Sequence, residues 1–312
     1  MAHDHVHSHD HARPRGSRGM LAFAFALTCA MLVVEAVGGW WSGSLALLAD
    51  AAHMLVDAGA LALAWAAAAF ALRPADARRS FGYARLEVLA GFVNALVQLL
   101  LVAGIVYEAI KRLLALDAIR IESGVMLVVA AVGLLVNAVV LRSLHGHDHE
   151  DLNAAGARLH VFSDLLGSVA TVLAALLVRY LAWEWADPAL SLLVSLLILR
   201  SAFVLLKRSS HILLEGVPEG VAPEEIRTAL AGADPSIVEV HHLHVWQLAS
   251  GSRMATLHAR VCDGGDARHA LQVIQQVLRE RFSISHVTVQ IETTECLDPP
   301  TDCRESGHAH HV

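Results

Sequence analysis

Two pentads, "HMLVD" at 53–57 and "HVFSD" at 160–164, each place a histidine four residues before an aspartate inside an apolar run. On a helix, residues i and i+4 share one face about 6 Å apart along the axis. His53 with Asp57, and His160 with Asp164, therefore each form a two-ligand claw. Two claws facing one another supply two imidazole nitrogens and two carboxylate oxygens, a set that matches tetrahedral zinc with bonds of about 2.0–2.2 Å. Ionisable groups are expensive in such runs and mark an ion pathway or relay. The plainer use of an intramembrane polar residue is a hydrogen bond to a neighbouring helix. That reading suits Glu35, Asp50, Asn94, Gln98 and Asn137 better than it suits two matching pentads.

The elements that must position these residues follow from composition. With 55% hydrophobic and 17% charged residues, the chain has the make-up of a polytopic membrane protein. Stretches long enough to span a bilayer fall at about 20–41, 45–72, 86–114, 121–144, 152–182 and 188–206. Six spans put both ends on one side. No apolar run precedes the first span, so no removable signal peptide is expected. The pentads are flanked by small residues, "ADAAHMLVDAGA" and "GARLHVFSDLLGSVA", which allow close helix approach.

Basic residues set the orientation. Arg13, Arg15 and Arg18 precede span one, Arg73, Arg78, Arg79 and Arg85 follow span two, and Lys207 and Arg208 follow span six, all on one side. By the positive-inside rule that side is the cytoplasm, which places both termini there in the cell (inner) membrane. Lys111, Arg112 and Arg120 dissent from the other face, with Glu108, Asp117 and Glu122 among them as partners.

Past Lys207, Pro, Gly and carboxylates announce a soluble domain. The expected organisation is a His-rich N-terminus at 1–19, a transmembrane domain at 20–208, a soluble domain at 209–295 and a Cys/His-containing tail at 296–312. Within the soluble domain, helices near 223–232 and 266–281 and strands near 237–248, 253–262 and "HVTVQIE" give an αββαβ order, a ferredoxin-like α+β domain. Its three strands carry His241, His258, His286 and Glu292, with His242, His244 and His269 as competing ligands.

The segments "SLALLADAAHMLVD", "FGYARLEVLAGFVNA", "LHVFSDLLGSV", "LLEGVPEGV" and "HHLHVWQL" together resemble the cation diffusion facilitator family, specifically its bacterial zinc exporters, over about residues 20–295. The resemblance implies a homodimeric antiporter in which His53, Asp57, His160 and Asp164 bind the travelling metal while protons move inward. Histidine at the first and third positions resembles the zinc-selective pattern, and a broader range of divalent metals (cadmium, cobalt, nickel, iron) is the alternative. It further implies that Arg85 and Glu215 form a charge pair tying the loop after span two to the soluble domain. His241, His258, His286 and Glu292 match positions that hold a regulatory cytoplasmic zinc, although Gln290 stands where some members have a ligating histidine. Cys296 and Cys303 are candidate thiolate ligands for the same site.

Coupling can be argued from the residues alone. Histidine must be neutral to ligate metal, so zinc binding displaces protons and proton binding displaces zinc. Expelling Zn²⁺ against 100 mV costs about 4.6 kcal/mol, and admitting one proton per zinc halves it. Histidine also crowds the tracts His3, His5, His7, His9 and His11, then His145, His147 and His149, then His308, His310 and His311, compositions that bind metal without fixed geometry. Cysteines on a cytoplasmic face are expected reduced. A net charge of −7 gives no nucleic-acid footprint. No "HExxH" supports an intramembrane metalloprotease, a closed ligand set argues against a channel, and no organic cofactor is expected.

Overall fold

The computed structural model describes residues 15–115, 120–144, 152–249 and 251–294, with side chains from residue 26 onward except 143–144, 152–161 and 163. Six long helices come first: α1 (Arg15–Ser42), α2 (Leu45–Ala71), α3 (Arg85–Leu114), α4 (Ser123–Leu144), α5 (Leu152–Leu181) and α6 (Ala186–Leu213). The shortest has 22 residues, about 33 Å at 1.5 Å per residue, which clears a hydrocarbon core of about 30 Å. Large apolar side chains such as Leu61, Leu100, Leu135, Leu196 and Phe203 point outward, as lipid-facing surfaces require. The chain is an α-helical membrane protein with a C-terminal α+β domain.

The helix ends agree with the apolar runs to within about two residues except at α1, which begins at Arg15 rather than 20, and at α6, which passes the expected end at 206 and continues to Leu213. Lys207 and Arg208 are exposed, so the helix proceeds with its charges in water. It stops where Glu215 takes a positive φ of 60°. Gly216 follows because a Cβ there would overlap the His211 ring, whose Nε2 lies 2.8 Å from the Val217 carbonyl oxygen.

The chain divides into two compact units, one running through Gly59 and again over Leu96–Ala202, the other over Ala60–Ala95 and from Phe203 onward. In the first, α4 packs against both α1 and α5, and Ala46, Leu47, Met126, Ala130, Ala174 and Ala175 form a small-residue core. Asp187 of α6, fully buried, caps the start of α2. It accepts from the Ser44 hydroxyl at 2.6 Å and from the backbone N–H groups of Leu45 at 2.7 Å and Ala46 at 3.1 Å. These are orphan donors that a helix N-terminus must satisfy somehow. Gly43, with φ of +70°, turns the chain into this cap where a Cβ would stand 2.8 Å from the Arg120 carbonyl oxygen. Arg112 donates to the Gly43 carbonyl at 2.6 Å, and Glu108 pairs with both Lys111 and Arg112 at 3.2 Å. Two of the basic residues that dissent from the orientation rule, Lys111 and Arg112, are thus held by counter-charges.

In the second unit, the loop between α2 and α3 winds around Asp76, which accepts from the Tyr83 hydroxyl at 2.7 Å and from the N–H groups of Arg78 and Arg79. These bonds, the Tyr83 one foremost, hold the Asp76 carboxyl below its usual range. After α6 come α7 (Pro223–Ala231), β1 (Ile237–Ala249), β2 (Ser252–Val261), α8 (Ala267–Phe282) and β3 (Ile284–Glu292), the expected αββαβ order. The sheet runs β1-β2-β3, antiparallel between the first pair and parallel between the second. Ile226, Leu230, Leu257, Ile274, Leu278 and Ile284 are among its fully enclosed core residues. Asp266 caps α8 by accepting from the N–H groups of Arg268 and His269.

Candidate metal centres

In the first unit, α2 carries His53 and Asp57 one turn apart, and α5 brings Asp164 to them. His53 Nε2 lies 3.4 Å from Asp57 Oδ2 and 4.0 Å from Asp164 Oδ1. Donors around a tetrahedral zinc with bonds of about 2.0 Å stand about 3.3 Å from one another, so His53 stands near ligand-to-ligand spacing from Asp57 and somewhat beyond it from Asp164. All three side chains are partly open, 14% for His53, 19% for Asp57 and 22% for Asp164, which leaves a way in. His160 lies on α5 one turn before Asp164, and its side chain is outside the described residues.

Polar neighbours orient the set. Gln98 of α3, itself buried, donates to Asp57 Oδ1 at 3.2 Å. Asn137 of α4 donates to Ser168 Oγ at 2.9 Å, and Ser168 donates to the Asp164 carbonyl at 3.1 Å. Gln98 and Asn137 are indeed interhelical hydrogen bonders, but Gln98 bonds a candidate ligand. It does for Asp57 what an outer-shell partner does for a metal ligand.

In the second unit, β1 and β2 set His241 opposite His258, and β2 and β3 set His258 opposite Gln290. Glu292 is buried beneath them, with Oε2 3.1 Å from His241 Nε2 and Oε1 3.1 Å from His258 Nδ1. Gln290 donates to Glu292 Oε1 at 2.9 Å and fixes it from the side. His242 joins this group. One ring nitrogen each from His241, His242 and His258 lies within 4.8 Å of the others, and the His242 ring stacks on His258 with centroids 4.7 Å apart.

Strict strand alternation sends His242 to the face opposite His241. A register shift between His241 and His244 and a φ of 49° at His242 return it to the same side, as a β-bulge does. The sign of that bulge is not visible in "HHLH". His286 corrects the expected set in the other direction. It pairs with Met254, four residues from the Gln290 that faces His258, about 13 Å along a strand. Its ring meets Phe81 edge-on at 6.1 Å instead. His269 pairs with Asp234 at 3.2 Å, and His244 faces Thr256. Ser236 donates to Asp234 from both its backbone and its hydroxyl and, ahead of the His269 charge, holds that carboxyl below its usual range.

Arg85 Nη2 and Glu215 Oε1 meet at 2.6 Å. Cys296 and Cys303, and the three histidine tracts with His145, His147 and His149 among them, lie outside the described residues.

Comparison with known proteins extends this geometry. Residues 21–214 match the model of the cation efflux transmembrane domain, and residues 218–294 match that of the cation efflux protein cytoplasmic domain. The chain is 43% identical to the zinc transporter ZitB of Escherichia coli, across all of this chain and 99% of that protein. It is 44% identical to the metal cation efflux system protein CzcD of Cupriavidus metallidurans over 93% of this chain and 90% of that one. It is 36% identical to the cadmium, cobalt and zinc/H(+)-K(+) antiporter of Bacillus subtilis over 98% of this chain and 99% of that protein. The chain belongs to the cation diffusion facilitator family, and is a multi-pass cation efflux transporter, not an enzyme.

Proposed function

We propose that this protein exports zinc from the cytoplasm in exchange for protons, with His53, Asp57, His160 and Asp164 as the site that binds the departing ion. The observation that carries this reading is the approach of His53 on α2 to Asp57 on the same helix at 3.4 Å and to Asp164 on α5 at 4.0 Å. The zinc transporter among its relatives supports the cargo, and the antiporter among them supports the exchange.

Chemistry supplies the coupling. An imidazole that holds a proton cannot hold zinc, and a carboxylate that holds one binds it poorly. Zinc arriving from the cytoplasm therefore expels protons from the set, and protons arriving from outside release zinc there. Differential affinity between inward-open and outward-open conformations gives the cycle its direction. The basic loops Arg73, Arg78, Arg79 and Arg85 support cytoplasmic termini.

The cytoplasmic sheet cluster is proposed as a second, regulatory metal site. Three imidazoles over one buried carboxylate, His241, His242 and His258 over Glu292, have the nitrogen and oxygen chemistry that zinc takes. Bound there, the ion would supply a fixed positive charge that holds the strands' side chains in one arrangement. The chain is proposed to act as a homodimer, supported by the match of its C-terminal domain to the family's cytoplasmic domain.

The test is metal-by-metal uptake into everted vesicles with an imposed pH step. Zinc accumulation that rises with the step, and a zinc pulse that moves protons the other way, are expected; zinc flux indifferent to the step refutes exchange. Replacing His53→Asp removes a nitrogen donor that suits zinc, so discrimination between zinc and other divalent ions, cadmium among them, is expected to relax. An unchanged metal profile in that variant speaks against His53 as the selectivity residue.

A further inference from the structure

Glu35 on α1 is only 2% exposed, and its Oε2 is enclosed without a hydrogen-bond partner among the described residues. Oε1 lies flush against α4 at Gly133, where a Cβ would stand 2.6 Å from it and 3.1 Å from Met31 Cε. A buried polar oxygen left without a donor is costly and calls for an explanation. The charges facing it come from Asp50 of α2 first and Asp164 of α5 second. Packed against α1, α4 offers no ionisable side chain between Ser123 and Leu141.

Asp50 is itself buried. Its Oδ1 lies 3.9 Å from the position of a Cβ on Gly167, one turn along α5 from Asp164. His53 follows Asp50 by three residues on α2.

Position along the helices orders these groups. Glu35 is seven residues from the α1 end at Ser42, and Asp50 is five from the α2 start at Leu45, about 10 and 8 Å inside those ends at 1.5 Å per residue. Asp57 is twelve residues from the same start, about 18 Å. Glu35 and Asp50 thus lie between the transport set and the face opposite the basic loops. A carboxyl pressed onto a helix backbone, with one oxygen lacking a donor, has one ligand that needs no further room: a proton.

We propose that Glu35 is the residue that takes up the proton from the outer face and yields it to the exchange as zinc departs. Each cycle loads one proton from outer-face water onto the Glu35 carboxylate and releases that proton again, returning Glu35 to a carboxylate, so no electrons or further reactants are involved. The inference rests on the proton-coupled reading above.

The test uses the full-length protein in proteoliposomes, with a pH-sensitive dye and a zinc-sensitive dye inside. Glu35→Gln keeps the shape and cannot carry a proton. It is expected to bind zinc as the native protein does, while zinc-driven proton flux falls at least about tenfold and zinc flux loses its response to an imposed pH step. An unchanged ratio of protons to zinc in Glu35→Gln overturns the proposal. Gly133→Ala supplies a second measurement should that variant fail to insert, because it displaces the carboxyl without changing its chemistry. It is expected to slow proton flux about threefold or more, and native flux in it overturns the proposal equally. Native protein that moves zinc with no protons at all overturns the exchange reading itself, a result distinct from a coupled native protein matched by a coupled variant.

Discussion

The chain gathers histidines and carboxylates into two clusters on different backbones. The helix set uses i,i+4 spacing, so His53 and Asp57 share a face by geometry that any regular helix provides. The sheet set gathers His241, His258 and Glu292 from three strands and adds His242 only because the backbone leaves its regular path. Spacing along the sequence therefore predicts that His53 and Asp57 share a face, and does not predict that His242 joins His241 and His258. The two also differ in what they demand of the ion. Partly open carboxylates from two separate helices suit a site that must release its cargo when those helices shift, whereas a buried Glu292 under three imidazoles on one sheet suits an ion that stays.

The largest expected effect breaks the helix set. Asp57→Ala or Asp164→Ala lowers zinc uptake by more than about 100-fold, because a ligand is lost outright where an outer-shell partner alone is worth 10 to 100-fold. Insertion, checked by membrane fractionation and gel filtration in detergent, is expected to be unaffected, since both side chains are partly exposed and the apolar runs that span the bilayer are unchanged. Native uptake in either variant removes the transport assignment.

Next, His258→Ala strikes the sheet set at its centre, between His241 and Gln290. Zinc affinity of the second site, read by calorimetry on the full chain, drops about 30-fold. A variant that retains both titration steps of the native protein shows that the ion sits elsewhere. His242→Ala and His286→Ala then sharpen the contrast between bulged and regular strand. The first weakens the same step about tenfold and the second by less than about twofold; the reverse ranking restores His286 and discards the bulge. Gln98→Ala, which unties Asp57, costs the helix set about tenfold in zinc affinity. An affinity equal to the native one reduces that hydrogen bond to a packing detail.

Much of this was legible beforehand because membrane helices leave few choices. The six apolar runs and the small residues around the pentads define the spans, and with backbone bonds satisfied internally a helix is the simplest form for each. The boundaries of α2 through α5 fall within a few residues of the expected ones. The end of α6 was harder, since Lys207 and Arg208 read as a stop while a helix is free to continue into water. Asp187 shows another limit. Only the fold reveals that its acceptors serve Ser44, Leu45 and Ala46, more than 140 positions away. Glu35 was legible as an expensive residue, but its missing donor required knowing what surrounds it.

The smallest effect belongs to the pair outside both sets. Arg85 and Glu215 are 39% and 60% exposed, so solvent screens their attraction, and side-chain ordering offsets part of what remains. Exposed ion pairs contribute about 0.2–1 kcal/mol. Arg85→Ala is therefore expected to shift the thermal midpoint by little and to leave both metal affinities in place. Its effect should shrink further at high salt, where charges are screened beyond a few ångströms. The double variant with Glu215→Ala reads out the coupling directly. Should that cycle return several kcal/mol that persist in high salt, the contact is buried in the working protein by something beyond this single chain, and the loop after α2 becomes part of an interface as well as a connection.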